Sequence, residues 1–143
     1  MATLLVIQDI VWSGDKARGG QAMLTLQWLR GLERLGHRAV LLNFFGWDPA
    51  SHGDVPKQRF EATCAQWWNI ENAALIDAKT LKSVAGLDDS ALKQVIDEAD
   101  GLITVGSPYT EEPAELLRNV RPRIMVEQDP AYTHLWLSLI HIS

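Results

Sequence analysis

Gly19 and Gly20 sit at the head of the stretch RGGQAMLTLQWLRGLERLGHRAVLLN, Arg18 to Asn43. A short apolar run, Leu4–Ile7, precedes it, and a loop containing Trp12 joins the two. Without side chains, paired glycines let an anionic or hydroxyl-rich ligand approach the backbone N–H groups at the start of a helix. Arg18 adds a guanidinium that suits a phosphate, or equally a surface carboxylate. The chemistry such a turn supports is the holding of a phosphate or a sugar at a helix N-terminus. The glycines can also serve turn geometry and helix packing alone.

Spacing excludes the two best-known uses of a glycine-rich turn. A phosphate-cradling P-loop needs Gly, four residues, Gly, Lys and then Ser or Thr. Gly14 and Gly19 have that separation, but Gly20 and Gln21 stand where the lysine and the Mg²⁺-binding hydroxyl belong. This argues against an NTPase. A dinucleotide fingerprint needs G-x-G-x-x-G directly after the strand. Here the loop is too long and its glycines wrongly spaced, which disfavours a nicotinamide oxidoreductase.

Other side chains fall where a ligand edge is expected. His52 lies in the loop after the second apolar segment and is the best placed histidine for a general base, although solvated loop histidines are common. Asp129 follows the last apolar segment, where it reads as a helix cap or as a base. Glu127 alternates with it and can share its side of the strand. His134 falls one turn beyond that cap and faces either the cleft or the packing. Trp47 is placed to serve as an aromatic platform for a sugar ring. Asp9 and Trp12 line the first loop; His37, beside Gly36, reads as a turn residue. For Trp28, Trp67 and Trp68 the expectation is core packing.

The elements that must position these residues follow from periodicity. Leu4–Ile7 has the continuous apolar pattern of a strand buried on both faces. A helix over Gly19–Leu35 puts Ala22, Leu24, Leu26, Trp28, Leu29, Leu32 and Leu35 on one broad face, with Gln27, Arg30, Gly31 and Arg34 opposite. Gly36 supplies a left-handed stop, and Ala39–Asn43 is the next strand. Phe44–Pro56 reads as irregular, because Gly46, Pro49, Gly53 and Pro56 all break regular structure. Lys57–Trp68 has helical spacing, and Ala73–Ile76 fits a short strand. Asp88 or Asp89 caps a helix carrying Leu92, Val95, Ile96 and Ala99. Gly101–Val105 and Arg123–Val126 complete the strands. Between them Thr110 caps a helix reaching Asn119, and Asp129-Pro130 starts another. Alternating strands and helices predict an α/β fold: a Rossmann-like, doubly wound, mostly parallel sheet of about five strands with helices on both faces.

Composition narrows the function classes. The 143 residues fit one domain, and 47% apolar content can fill its core. A net charge of −5 argues against nucleic-acid binding, which needs a basic surface. One cysteine, Cys64, leaves no intramolecular disulfide and no cysteine-based zinc site. That usage and the lack of a signal-like N-terminus suggest a cytoplasmic protein, and no apolar segment nears the roughly 20 residues that span a bilayer.

Two segments together resemble bacterial glycosyltransferases of the two-domain GT-B fold. RGGQAMLTLQWLRGLERLGHRAVLLN looks like their N-terminal strand, GG loop, helix and L-x-x-L-G-H-x-V turn. The later ITVG…EEPAELLRNVRPRIMVEQDPAYTHLW ends in a stretch similar to the D-P-[AG]-[FY]-T-Q-L-W of one branch, with His134 in place of the glutamine. The resemblance implies an acceptor-side domain over residues 1–136, facing a second domain that binds the nucleotide-sugar. It also implies that Gly19 and Gly20 face the donor phosphates, that backbone N–H groups stabilise the departing diphosphate, and that neither a metal nor another cofactor is required. Arg18, Trp12, Trp47 and His134 are then candidates for donor-phosphate or acceptor contacts. The last residues, LSLIHIS (Leu137–Ser143), resemble translated adapter read-through and are expected to be a non-native tail. A chain ending there is an enzyme fragment expected to be inactive alone and to self-associate through an exposed interdomain face. The alternative is a stand-alone α/β ligand-binding or regulatory module. A phosphoacceptor receiver is disfavoured, since no Asp–Thr/Ser–Lys set accompanies Asp9.

Overall fold

The computed structural model describes residues 1–11, 19–46, 48–105 and 115–126. Six strands form one sheet. They are β1 (Thr3–Ile7), β2 (Arg38–Phe45), β3 (Ala73–Asp77), β4 (Ser83–Gly86), β5 (Gly101–Val105) and β6 (Arg123–Val126). The order across the sheet is β4-β3-β2-β1-β5-β6. All neighbours run parallel except β3 and β4. The helices with both ends among the described residues are α1 (Gly19–Arg34), α2 (Pro49–His52), α3 (Val55–Trp67) and α4 (Asp89–Glu98), with a 3₁₀ turn at Ile70–Asn72. The expected α/β architecture and mostly parallel sheet are present, with six strands rather than about five.

Strand alternation sorts the core into two layers. Val6, Leu41, Leu75 and Ile103 point to the face covered by α1 and α3, where Leu26, Leu29, Phe60, Cys64 and Trp68 meet them. Leu5, Val40, Leu42, Ile76 and Leu102 point to the other face, packed by Leu92 and Val95 of α4 and by Leu117 and Val120. Apolar side chains on successive positions are therefore buried on both sides, which is why β1 and β2 read as unbroken apolar runs.

Three local corrections have clear causes. β4 is short and carries only Val84 and Ala85 as apolar residues, so it gives little strand signal. It forms by hairpin: Asp77 Oδ1 accepts from Lys79 N at 2.8 Å and Thr80 N at 3.3 Å, and Leu81 adopts φ 60°. The segment Phe44–Pro56 is more regular than expected, since β2 continues to Phe45 and α2 follows. There Pro49 occupies the first turn of a helix, where a missing N–H costs nothing, and Asp48 caps it by accepting from Ala50 N at 3.1 Å. Leu35, placed with the buried face of α1, is instead 74% exposed, and Trp67 is also exposed. Trp68 is buried as expected.

Helix ends follow their sequence signals. Gly36 (φ 87°) closes α1 with its N–H on Glu33 O, while His37 N reaches back to Leu32 O at 3.1 Å, the bond pattern of a left-handed stop. His37 Nδ1 accepts from Ala2 N at 3.2 Å, which gives that histidine a structural role. α4 starts at Asp88, whose side chain accepts from Ala91 N at 2.8 Å.

Gly86 is required by both conformation and space. Its φ is +79°, and a Cβ there would stand 2.1 Å from Ala73 O, the oxygen that accepts from Leu87 N. Gly86→Ala is expected to destabilise the fold by about 2–4 kcal/mol, strain and overlap together. A lowered urea midpoint at unchanged slope checks this, and an unshifted midpoint refutes it. Cys64 is fully buried on α3 and burial pushes its thiol up to about 12. Thiol reagents at pH 8 should therefore label it only at the rate of global opening, at once in denaturant.

Candidate functional site

The strand order reverses at β1, whose neighbours are β2 on one side and β5 on the other. In open α/β sheets the carboxyl edge beside such a reversal is where loops diverge and leave a crevice. The chain leaves β1 there at Ile7 and re-enters helix at Gly19, the first residue of α1. No acidic residue occupies the first turn of α1, so that turn itself does not offset the positive end of its dipole.

A buried amide fixes the start of that loop. By alternation Asn43 of β2 points to the face of α1 and α3, and it is fully buried. Its Oδ1 accepts from Ile10 N at 2.7 Å and from Val11 N at 3.3 Å. Its Nδ2 donates to Asp9 Oδ1 at 3.2 Å and to Phe44 O at 3.4 Å. Asp9 Oδ1 also accepts from Val11 N at 2.8 Å, closing an Asx turn. Gln8 N extends the β1–β2 ladder by one more bond, to Leu42 O at 3.4 Å. Together these bonds hold residues 8–11 against β2 and pin Val11 in the core. The placement of residues 10 and 11 is thus specified by two side chains, Asn43 and Asp9. Thr104, next to the carboxyl end of β5 and paired with Ile7, is the other buried polar residue at this edge.

His52 ends α2, beyond the carboxyl end of β2. Its ring meets Phe45 edge-on, centroids 5.8 Å apart, and its Nδ1 lies 3.3 Å from Asp48 O. In the tautomer that donates from Nδ1 to this carbonyl, Nε2 carries the lone pair of a base. Asp48 is held below the usual carboxylate value of 3.8, first by the Ser51 hydroxyl, then by Ala50 N–H. A depressed carboxylate contributes its capping above the ordinary value and loses it as pH falls through the folded one, so α2 stays capped at neutral pH.

Of the sequence-predicted residues, Gly19 and Gly20 form the first helical positions of α1, and His52 stands at the same edge of the sheet. Asp9 is tied into the clamp. Trp12, Arg18, Trp47, Glu127, Asp129 and His134 lie outside the described residues, as do the expected starts of helices at Thr110 and Asp129. Asn43 escaped the sequence reading, where it served only as the end of a strand. Its signal was a lone amide in the otherwise apolar run AVLLNFF. Among the described residues no group of His, Cys, Asp and Glu could hold a metal ion, and no helix is long and apolar enough to cross a membrane.

Asn43→Leu preserves volume but strips the acceptor from Ile10 N–H and leaves Val11 N–H to Asp9 alone, and should cost about 1–3 kcal/mol while raising amide exchange at Ile10 and Val11. Asn43→Asp keeps the acceptor but sets a carboxylate against Asp9, so its deficit should be larger at pH 7 than at pH 4, where a shared proton can bridge them. Unchanged exchange at Ile10 and Val11 in Asn43→Leu would show that the loop holds itself.

Comparison of the chain with family models, with curated proteins and with solved structures finds no match.

Proposed function

We propose that this domain is the acceptor-side, Rossmann-like unit of a GT-B-type glycosyltransferase, working with a donor-side domain that holds a nucleotide-sugar. The observation that carries the reading is the clamped loop after β1, which leads into a glycine-paired helix start at the point where strand order reverses. Such a start offers N–H donors and the positive end of a helix to a diphosphate. The GG-helix-GH pattern and the DPAYTHLW stretch add the family resemblance, and a doubly wound arrangement accounts for helices packed on both sheet faces.

In this reading the α1 N-terminus faces the donor phosphates, and its N–H groups oppose the charge that develops on the leaving diphosphate. His52 takes the proton from the acceptor hydroxyl through Nε2, held in orientation by the Asp48 carbonyl and the Phe45 ring. Asp129 is the second candidate for that role. Arg18, Trp12, Trp47 and His134 are assigned to donor-phosphate and acceptor contacts. The product is a glycoside plus nucleoside diphosphate, and the hydroxyl proton leaves through the base.

The reading is tested by assaying transfer from a panel of nucleotide-sugars, using the 143-residue chain and the product of its complete coding region. The chain alone should give no turnover. In the complete protein His52→Ala should lower kcat by about 100-fold or more with KM for the donor little changed. Turnover by the 143-residue chain alone, or full activity in His52→Ala, removes the respective assignment. No transfer from any donor by the complete protein removes the function itself.

A further inference from the structure

Seven large apolar side chains are exposed among the described residues, and three of them, Met23, Leu35 and Trp67, border one surface of α1. That helix buries Thr25, Leu26 and Leu29 against the sheet. Beside that stripe run Leu24, Trp28, Gly31 and Leu35, spaced by four, three and four residues, the repeat of a helix-packing seam; Leu24 and Trp28 are half-buried, and Trp28 also packs against the core. Gly31 is the saddle of this surface. On one side of it lies a hollow of about 270 Å³, lined by Leu24, Trp28, Leu32 and Leu35. On the other lies a hollow of about 480 Å³ between α1 and α3, lined by Met23, Arg30, Arg34 and Trp67.

Nothing inside the chain calls for glycine at position 31. Its backbone is helical without positive φ, and a Cβ there would meet no atom within 4 Å. A mid-helix glycine costs about 1 kcal/mol relative to alanine. What the missing side chain does provide is room for another backbone to come close from outside.

Charge narrows what that backbone carries. Arg30 is held in place: it donates to Glu33 Oε2 at 2.9 Å and to Trp67 O at 3.0 Å, and its guanidinium lies 5.0 Å from the Trp68 ring centroid. Arg34 has no ion pair among the described residues. The described residues lining the two hollows include these two arginines and no carboxylate. Glu33 already meets the charge of Arg30, so Arg34 carries the uncompensated charge here, and pairing of this surface with itself would bring Arg34 toward its own copy, which disfavours it.

We propose that the outer face of α1 docks an amphipathic helix of a partner protein. The partner's apolar stripe lies on Leu24, Trp28 and Leu35, its backbone crosses at Gly31, and its carboxylates face Arg30 and Arg34. This is helix-in-groove recognition, in which apolar anchors supply affinity and rim charge selects the partner. It stands independently of sugar transfer.

The test is titration calorimetry with two stapled helices of about 15 residues, long enough to cross the seam, both with a Leu/Ala stripe. One is flanked by glutamates and the other by lysines. The glutamate helix should bind at least about tenfold more tightly at low salt, and Arg34→Glu should reverse that preference. Gly31→Leu should weaken binding by about tenfold or more while melting no lower than the parent, since leucine is the better helix former. Equal binding of the two helices, no binding by either, or full binding by Gly31→Leu overturns the proposal. A dimer in sedimentation that Gly31→Leu abolishes also overturns it and assigns the face to a second copy of this chain.

Discussion

The carboxyl edge of this sheet depends on one fully buried amide. A strand covered on both faces has no solvent to satisfy polar groups, so a polar side chain there is stable only if all its hydrogen-bonding capacity is met locally. Asn43 meets that condition by taking two N–H groups from the chain that leaves β1 and giving its own protons to Asp9 and Phe44. The exchange is mutual. The amide needs the loop as a partner, and residues 10 and 11 need an acceptor because Val11 is buried. A leucine would pack as well on the α1 face, but it would leave the departing chain without direction. The edge is thereby specified by complementarity of donors and acceptors, while the rest of the sheet is specified by apolar burial.

The same contrast separates the sheet's two borders. At one, β4 turns back antiparallel on β3 with a register shift between Leu75 and Ile76, and Gly86 lets the chain pass close over Ala73. Ser83 strengthens this border, its N–H on Asp89 Oδ1 and its hydroxyl on Ala85 O and Leu87 O. At the other border of the described sheet lies β6, whose Ile124 and Met125, on successive positions, are 53% and 41% exposed. Arg123 anchors this border by donating to the carbonyls of Leu117 and Val120. An irregular strand closes one side of the described sheet.

Legibility in the sequence followed the physics of each signal. Strands buried on both faces announce themselves as apolar runs, so β1, β2, β3 and β5 were readable; β6 was readable from its apolar composition although Ile124 and Met125 are exposed. Gly36 and Asp88 marked helix ends through local hydrogen bonds that need no tertiary partner. β4 was hidden because its place comes from a turn and a neighbour rather than from its own residues. Leu35 was misplaced because periodicity assigns a broad stripe, whereas contact with a sheet buries only its centre. Of the candidate site residues, the sequence put Gly19 and Gly20 at a helix start and His52 after the second strand, and the structure has the start of α1 and the end of α2 there. Asn43 was not, because an amide declares nothing until its two partners, some 32 residues away in sequence, are brought to it by the parallel pairing of β1 and β2.

Glycine makes the same point in reverse. Gly36 and Gly86 have positive φ, and at Gly86 a methyl group would strike backbone. Their presence is explained within the chain. Gly31 has an ordinary helical backbone and open space around it, so folding alone would be better served by almost any other residue. A residue that weakens its own helix, set between two hollows and beside exposed Trp67 and Leu35, makes sense when the helix's outer surface is itself a packing surface. The inner stripe of α1 then holds the fold, and Trp28 and Leu32 serve both it and the outer surface, packing against the core while they line the hollow. On that view α1 has two separate duties at the surface: its first turn presents N–H groups at the carboxyl edge, and its last two turns present an apolar seam some 15 Å away along the axis, at about 1.5 Å per residue.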